Sequence, residues 1–265
     1  MSKYLHREDS PFAPTVWQKI DETVIGAAMS QLSARRILKI EGPYGLGFKM
    51  LPLEDTIGGD GDVVTSNFLP LAMIKSEFSL MVRDVAAFEE QNVPLPVDEI
   101  AKAAIELARK EDNVLFNGVK SISQGGLLDA AGKNNVKWGD WNNVGVATND
   151  VIKAITALDE AGFHGPYAMA IAPAWYNLLL RRYQQGDQTE LEHLRLALAE
   201  GVVKAPALKD VAVVIASGSQ YASIVVGQDM MTTFVGPEAG SYKFIISETI
   251  ALRLKQPKAF CLIGK

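Results

Sequence analysis

Three histidines, one cysteine and a scatter of carboxylates are what this chain offers for chemistry. His6, His164 and His193 are too far apart in sequence to form a local metal-binding pair. The run Glu190-Leu191-Glu192-His193 reads as the solvated face of an amphipathic helix, not as a carboxylate–imidazole ligand set. His164 precedes Gly165-Pro166-Tyr167 and reads as a turn residue. Cys261 lies in the apolar run Ala259–Ile263, where burial raises a thiol pKa and makes a poor nucleophile. No G-x-S-x-G elbow offers a seat for a serine nucleophile, although a triad assembled in space from distant residues stays open on counting alone. There is no Walker A motif, and the glycine-rich run Gly42–Gly47 has the wrong spacing for a dinucleotide turn. Asp60-Gly61-Asp62 has too few oxygen ligands for a calcium loop. The adjacent pairs Glu89-Glu90 and Glu111-Asp112 point away from each other on a helix or a strand, so both are expected to face solvent. No catalytic and no metal-binding residue is assigned, and the chain is read as no enzyme.

Composition narrows the field further. The 265 residues are 48% apolar and 22% charged, with net charge −5. That length is one large domain or two smaller ones, and the apolar surplus fits either a bigger core or subunit interfaces. One cysteine excludes an intrachain disulfide and fits a reducing cytoplasm. The N-terminus lacks the apolar core of a signal peptide, and no stretch approaches the ~18 apolar residues of a membrane span. No basic cluster exceeds two or three residues, which argues against nucleic acid as a partner.

Residues 1–14 read as an arm. Thr15 is expected to open a helix with Gln18 completing a capping box, followed by an apolar stripe of Trp17, Ile20, Val24, Ala28 and Leu32. A short strand is expected at 37–40. Residues 48–80 read as a long β-hairpin around Gly58-Gly59-Asp60-Gly61, too long to bury both its faces without a partner surface. Asp98 is expected to cap the clearest helix, which stops at Gly118. Helices from Thr148 or Asn149 to Gly162, from Pro173, and around Leu191–Leu198 follow, with a strand over 167–172. Val211–Ala216 and Ala222–Val226 flank Ser217-Gly218-Ser219 and read as a hairpin, and runs at 242–254 and 258–263 complete the sheet. The class is α+β.

Short sequences spread over the chain resemble one family. Ala13-Pro14-Thr15-Val16-Trp17-Gln18-Lys19-Ile20-Asp21, Arg35-Arg36 and Glu41-Gly42-Pro43-Tyr44-Gly45 are similar to the opening of encapsulin shell proteins. Leu69-Pro70-Leu71, Phe78-Ser79-Leu80, Glu111–Gly118, Gly125-Gly126-Leu127-Leu128, Gly165-Pro166-Tyr167, Gly227-Gln228-Asp229 and Ser247-Glu248-Thr249 resemble further signatures of that family, in order. Each is weak alone; their order across residues 13–249 is what makes chance implausible.

The resemblance implies the Hong Kong ninety-seven phage capsid-like fold. Residues 1–47, 81–133 and 221–265 would form the peripheral domain, 48–80 the extended loop and 134–220 the axial domain. It implies an icosahedral homo-oligomeric cage in the cytoplasm. The cage would enclose a cargo enzyme, a ferritin-like iron oxidase or a dye-decolourising peroxidase, held through its C-terminal targeting peptide. Carried over by position, Ile25, Met29, Arg35, Ile37 and Met230 would line the cargo-peptide groove, with ordinary core packing as the alternative for the apolar four. Gln184, Gln185, Gly186, Asp187, Gln188 and Thr189 would form the five-fold pore loop, with helix capping as the alternative role of Asp187. Some relatives hold flavin against a Trp just after the extended loop; Arg83 stands at that position, so no cofactor is expected. A viral major capsid protein of the same fold is the competing reading, but the arm sets Lys3 and Arg7 against Glu8 and Asp9, where a genome-filled shell would want a basic arm. A protease or a bacteriocin-like protein is the third.

Overall fold

The computed structural model describes residues 3–264 apart from 58–60, 62, 123, 131 and 185. In chain order the described elements begin with α1 (Pro14–Gln31), β1 (Lys39–Glu41), β2 (Met50–Pro52), β3 (Thr56–Ile57), β4 (Val64–Thr65), β5 (Phe68–Pro70) and β6 (Ala72–Met81). Next come α2 (Val82–Gln91), α3 (Asp98–Asn117), β7 (Asn134–Lys137), α4 (Val146–Glu160), β8 (Tyr167–Ile171), α5 (Pro173–Leu178) and α6 (Glu190–Ala197). The last stretch holds β9 (Val202–Lys204), β10 (Val211–Ala216), β11 (Ala222–Val226), β12 (Met231–Glu238), β13 (Ser241–Leu254) and β14 (Phe260–Gly264). Contacts divide the chain into two units, residues 1–32, 42–111 and 225–251, and residues 33–41, 112–224 and 252–265.

The first unit is built on α1. Its start differs from the capping box expected at Thr15: Ala13 is the N-cap and Pro14 takes the first helical position, where a missing N–H costs nothing. Gln18 instead donates to Glu22 (2.9 Å). The expected stripe is buried throughout, from Trp17 through Ile20, Val24 and Ala28 to Leu32. Trp17, Ile20 and Val24 pack on an aromatic core of Phe12, Phe78, Phe234 and Phe244, in which Phe78 and Phe244 stack at 4.8 Å, while Ala28 and Leu32 cluster with Ala108. Strands β12 and β6 pair antiparallel with β13, one on each of its edges. The hairpin expected over 48–80 is shorter. Met50–Pro52 pairs with Phe68–Pro70 and Thr56–Ile57 with Val64–Thr65, whereas residues 72–81 are the sheet strand β6. Alternation in 72–81 marks a half-buried strand but does not say which partner it takes. Most of the hairpin tip lies outside the described residues. Helix α2 was hidden from sequence reading because its apolar face is short, with Val85 its one fully buried residue.

Two of the family-like sequences, far apart in the chain, are hydrogen-bonded partners in this unit. Gly227 N donates to Thr249 O (2.8 Å), Gln228 N to Thr249 Oγ1 (2.6 Å), and Thr249 N to Gln228 O (2.9 Å). The turn after Gly42 joins them, through Tyr44 N to Val226 O (3.0 Å) and Gly45 N to Gly227 O (2.6 Å). A Cβ at Gly227 would collide with Thr249 Oγ1, which is why glycine stands there.

The second unit has a five-stranded sheet in the order β7-β14-β10-β8-β9. β10 is antiparallel to both neighbours, and the outer pairs β14–β7 and β8–β9 are parallel. The hairpin expected from 211–226 does not form: β10 lies between β14 and β8, while β11 goes to another sheet with β1. Both strands are continuous buried runs, so their pattern carried no pairing information. The Glu111-Asp112 pair, expected at the surface, is buried, with Asp112 only 2% exposed. Asp112 accepts from Ser33 N (3.0 Å), Ser33 Oγ (2.5 Å) and Ala34 N (3.0 Å), and so caps the turn that carries Arg35 and Arg36. Burial pushes its carboxyl up from the ordinary value, against the pull of the Ser33 and Ala34 donors. Gly118 sits at φ 70, and a Cβ there would meet the backbone of Gln124, so this helix stop is a true glycine position.

Candidate functional site

α1 presents its other face to solvent. Ile25 and Met29, one helical turn apart, are 58% and 65% exposed. Two large apolar side chains held on a helix whose opposite stripe is fully buried are a ready contact for an apolar segment. In the same unit Met230 is half-buried and packs against Ala28, Leu32 and Ala108. It therefore has one side in the core. Arg35 and Ile37 belong to the second unit. Ile37 is 5% exposed, so its side chain is taken up by packing, and Arg35 is half-buried. Arg83 is exposed in the first turn of α2.

In the second unit, residues 184–189 form a closed loop on a braced base. Arg182 and Thr189 are bridged, and Tyr183 N donates to Gln188 O (3.2 Å). Gln184, Gly186, Asp187 and Gln188 are exposed; Gln185 lies outside the described residues. The capping role considered for Asp187 goes to Thr189, which accepts from Glu192 N while Glu192 accepts from Thr189 N (2.7 Å). The T-x-x-E spacing of Thr189 and Glu192 is the capping-box signature in the sequence. Asp187 instead points outward, fully exposed, with Arg182 Nη1 at 3.9 Å.

Beneath this loop lies a brace made by residues over forty positions apart, which no local pattern marks. Glu190, completely buried, accepts from Gly145 N (2.8 Å), Thr148 N (3.3 Å) and Thr148 Oγ1 (3.2 Å). It thereby supplies the N-terminal acceptor that α4 lacks, since Gly145 has no side chain to do so and neither Thr148 nor Asn149 is the cap. Tyr183 OH meets Thr148 Oγ1 at 2.7 Å, tying the start of the loop to the same helix end. Nearby, Trp138, Trp141 and Trp175 form a cluster, with the first two stacked at 4.4 Å. Asp150 holds it by accepting from Gly139 N (2.7 Å) and Trp141 Nε1 (3.0 Å).

Chemically these features bind and position; they do not react. Burial pushes the Cys261 thiol up to about 11. Among the described residues no group of three or more His, Cys, Asp or Glu side chains is placed to hold a metal ion. His193 meets Tyr183 OH (3.3 Å), and His164 pairs with Asp159 (3.0 Å).

Comparison with known proteins agrees with a structural role. A family model described as "Encapsulating protein for peroxidase" matches residues 1–251. A type 1 encapsulin shell protein of Myxococcus xanthus is 31% identical over 278 aligned residues, covering 99% of this chain and 97% of that protein. The fold is that of a virus-like particle from Pyrococcus furiosus, at TM-score 0.76 and 21% identity over 94% of this chain and 99% of that one. It is also that of the capsid of the myovirus phage XM1, at TM-score 0.61 and 16% identity over 86% and 89%. The fold is thus capsid-like, of the Hong Kong ninety-seven type. The chain belongs to the encapsulin family of shell proteins, whose role is to build a compartment around a cargo and not to catalyse.

Proposed function

We propose that this chain closes into an icosahedral shell of about 60 copies, the smallest icosahedral arrangement, in which closed symmetry gives every subunit the same neighbours. The observation that carries this is the hairpin β2–β5. Met50, Ile57, Val63, Val64 and Phe68 along it are 48–66% exposed. A narrow ribbon with apolar side chains in water is marginal by itself and calls for a neighbouring surface. The cargo, a ferritin-like iron oxidase or a dye-decolourising peroxidase, is held by its C-terminal peptide against the α1 face at Ile25 and Met29, with Met230 of the same unit beside them. The half-burial of Met230 supports a role as floor, and the burial of Ile37 favours the core-packing alternative for that residue.

The shell works in the cytoplasm, with no nucleic acid and no membrane as partner. The net charge of −5 and the lack, among the described residues, of any helix long and apolar enough to cross a membrane support that reading. It carries no flavin, since Arg83 offers no indole to stack on; visible flavin absorbance in purified particles would refute this. The loop 184–189 lines the five-fold opening and sets which solutes reach the cargo. The test is loading. Met29→Asp, at an exposed position, is expected to leave particles intact and release the co-purifying enzyme, identified by mass spectrometry in the parent. Normal loading of Met29→Asp particles would move the docking site elsewhere.

A further inference from the structure

The exposed face of α1 carries one oxidisable atom, the sulfur of Met29. The chain has eight methionines and one cysteine. The cysteine is closed to an oxidant: Cys261 is completely buried, and burial pushes its thiol up to about 11, so almost no thiolate forms at neutral pH. Among the described methionines Met169 is completely buried, Met230 and Met231 are half-buried, and Met29 is the most exposed, at 65%. Met73 and Met81 are also open, on the outward side of β6, and Met50 lies on the hairpin. Met29 alone stands on α1, one turn from the exposed Ile25.

The helix keeps this side chain open to a small solute. A helical side chain lies over the turn on its N-terminal side, which for Met29 means Ile25 and Gly26. Gly26 adds no cover, and a Cβ there would meet open space. The opposite stripe, Val24 and Ala28 included, is packed into the core and holds α1 in this orientation. A peptide seated on Ile25 and Met29 would cover the thioether; an empty face presents it to solvent.

Two-electron oxidation is the chemistry open to such a sulfur. A peroxidase inside the shell requires hydrogen peroxide to enter. The thioether lone pair attacks one peroxide oxygen, an S–O bond forms as the O–O bond breaks, and hydroxide leaves. The hydroxide takes the proton from the transferred oxygen and becomes water. Met29 is thereby oxidised to the sulfoxide and the peroxide is reduced. The product puts a hydrogen-bond acceptor where an apolar contact stood, which disfavours burial against an aliphatic side chain.

We propose that Met29 is a peroxide-sensitive modification site, at which sulfoxide formation on the unoccupied face blocks the return of the cargo peptide. This rests on the reading that α1 docks cargo, and it adds an oxidant control of that contact.

The test uses intact particles of the full chain, empty or loaded with the co-purifying enzyme, exposed to hydrogen peroxide and read by peptide mass spectrometry. In empty particles Met29 is expected to gain oxygen about tenfold faster than Met169, because attack needs access. Loading is expected to slow Met29 in proportion to the share of subunits occupied and to leave Met73, which is not on α1, unchanged. A second readout is the fluorescence anisotropy of the enclosed enzyme, fused at its N-terminus to a fluorescent protein so that its own C-terminus stays native. Docked enzyme turns with the particle, and undocked enzyme turns faster. Peroxide is expected to lower the anisotropy in the parent and not in Met29→Leu, which keeps an apolar side chain without the sulfur. Oxidation of Met29 no faster than Met169, or the same anisotropy response in parent and Met29→Leu, would overturn the proposal. Met29→Asp separates the two readings. If it abolishes loading while Met29 oxidises no faster than Met169, the oxidation proposal fails alone. If Met29 oxidises fast, gains no protection from loading, and Met29→Asp loads normally, the docking reading fails and takes the proposal with it.

Discussion

Glu190 holds the end of α4 and the base of the 184–189 loop at once, and its removal tests how far the loop depends on that brace. In Glu190→Ala, the half-buried Gly145 N and the buried Thr148 N lose their acceptor, while Thr148 Oγ1 keeps Tyr183 OH. An unsatisfied buried donor costs about 1–3 kcal/mol, and loss of a negative charge at a helix N-terminus adds about 0.3–1 kcal/mol. Together these predict a loss of about 3–5 kcal/mol. Glu190→Gln keeps a carbonyl oxygen for the two N–H groups, and its amide nitrogen can occupy the side of Oε2, which makes no hydrogen bond. That variant is expected to lose only about 1–2 kcal/mol, mostly the charge-assisted part. Thermal unfolding read by tryptophan fluorescence is well placed, because Trp138, Trp141 and Trp175 all lie in the second unit. At about 2–4 °C per kcal/mol, Ala should melt about 6–20 °C below the parent. An Ala variant within about 2 °C of the parent on that same scale would mean that the brace carries no weight. Equal losses in Ala and Gln would mean that the carbonyl acceptor is irrelevant.

Two further outcomes are expected. Glu41 accepts from Lys255 (2.7 Å), Ser223 (2.7 Å) and Arg253 (3.0 Å). Burial pushes its carboxyl up, but these donors outweigh burial and hold it below the ordinary 4.5. A lowered folded-state pKa stabilises above the unfolded value, and that gain is lost as pH falls through the folded value. Melting temperature should therefore fall on acidification below 4.5, and Glu41→Gln should flatten that limb; identical acid limbs would refute it. At the loop, Arg182 offsets part of the charge of Asp187, so Asp187→Asn leaves an excess of guanidinium around the proposed opening. Cation-dependent turnover by enclosed enzyme should slow in Asn and slow further in Asp187→Lys, with salt shrinking both effects. Equal rates in all three proteins would take Asp187 out of the pore.

Local periodicity made the α1 stripe and α3 legible in the sequence, and uninterrupted apolar runs marked the strands β8 and β10. What failed was pairing. Residues 72–81 join β13 instead of closing a hairpin, and β10 and β11 part company across Ser217-Gly218-Ser219. Strands buried on both faces carry no mark of their neighbours. The weak family-like sequences turn out to be joints of the scaffold: Gly227-Gln228 against Thr249, and Asp112 against Ser33 and Ala34. Their contacts span 21 to 79 positions, beyond any local rule. For the same reason the Glu190 brace was invisible, since it caps a helix that begins over forty positions earlier. Asp187 and Thr189 were a choice between neighbours, and the capping-box spacing would have decided it for Thr189. The exposed faces at Ile25 and Met29 came from resemblance alone, because a solvent-facing apolar pair on a helix looks like noise until the opposite stripe is known to be buried.

The most direct test of the central claim is the mass of the purified full-length chain at neutral pH by sedimentation or light scattering, with particles imaged by electron microscopy. The monomer is 28.8 kDa. A shell of about 60 copies predicts one closed, hollow species near 1.7 MDa. A stable monomer or dimer, with no closed particle at any concentration tested, would contradict the account.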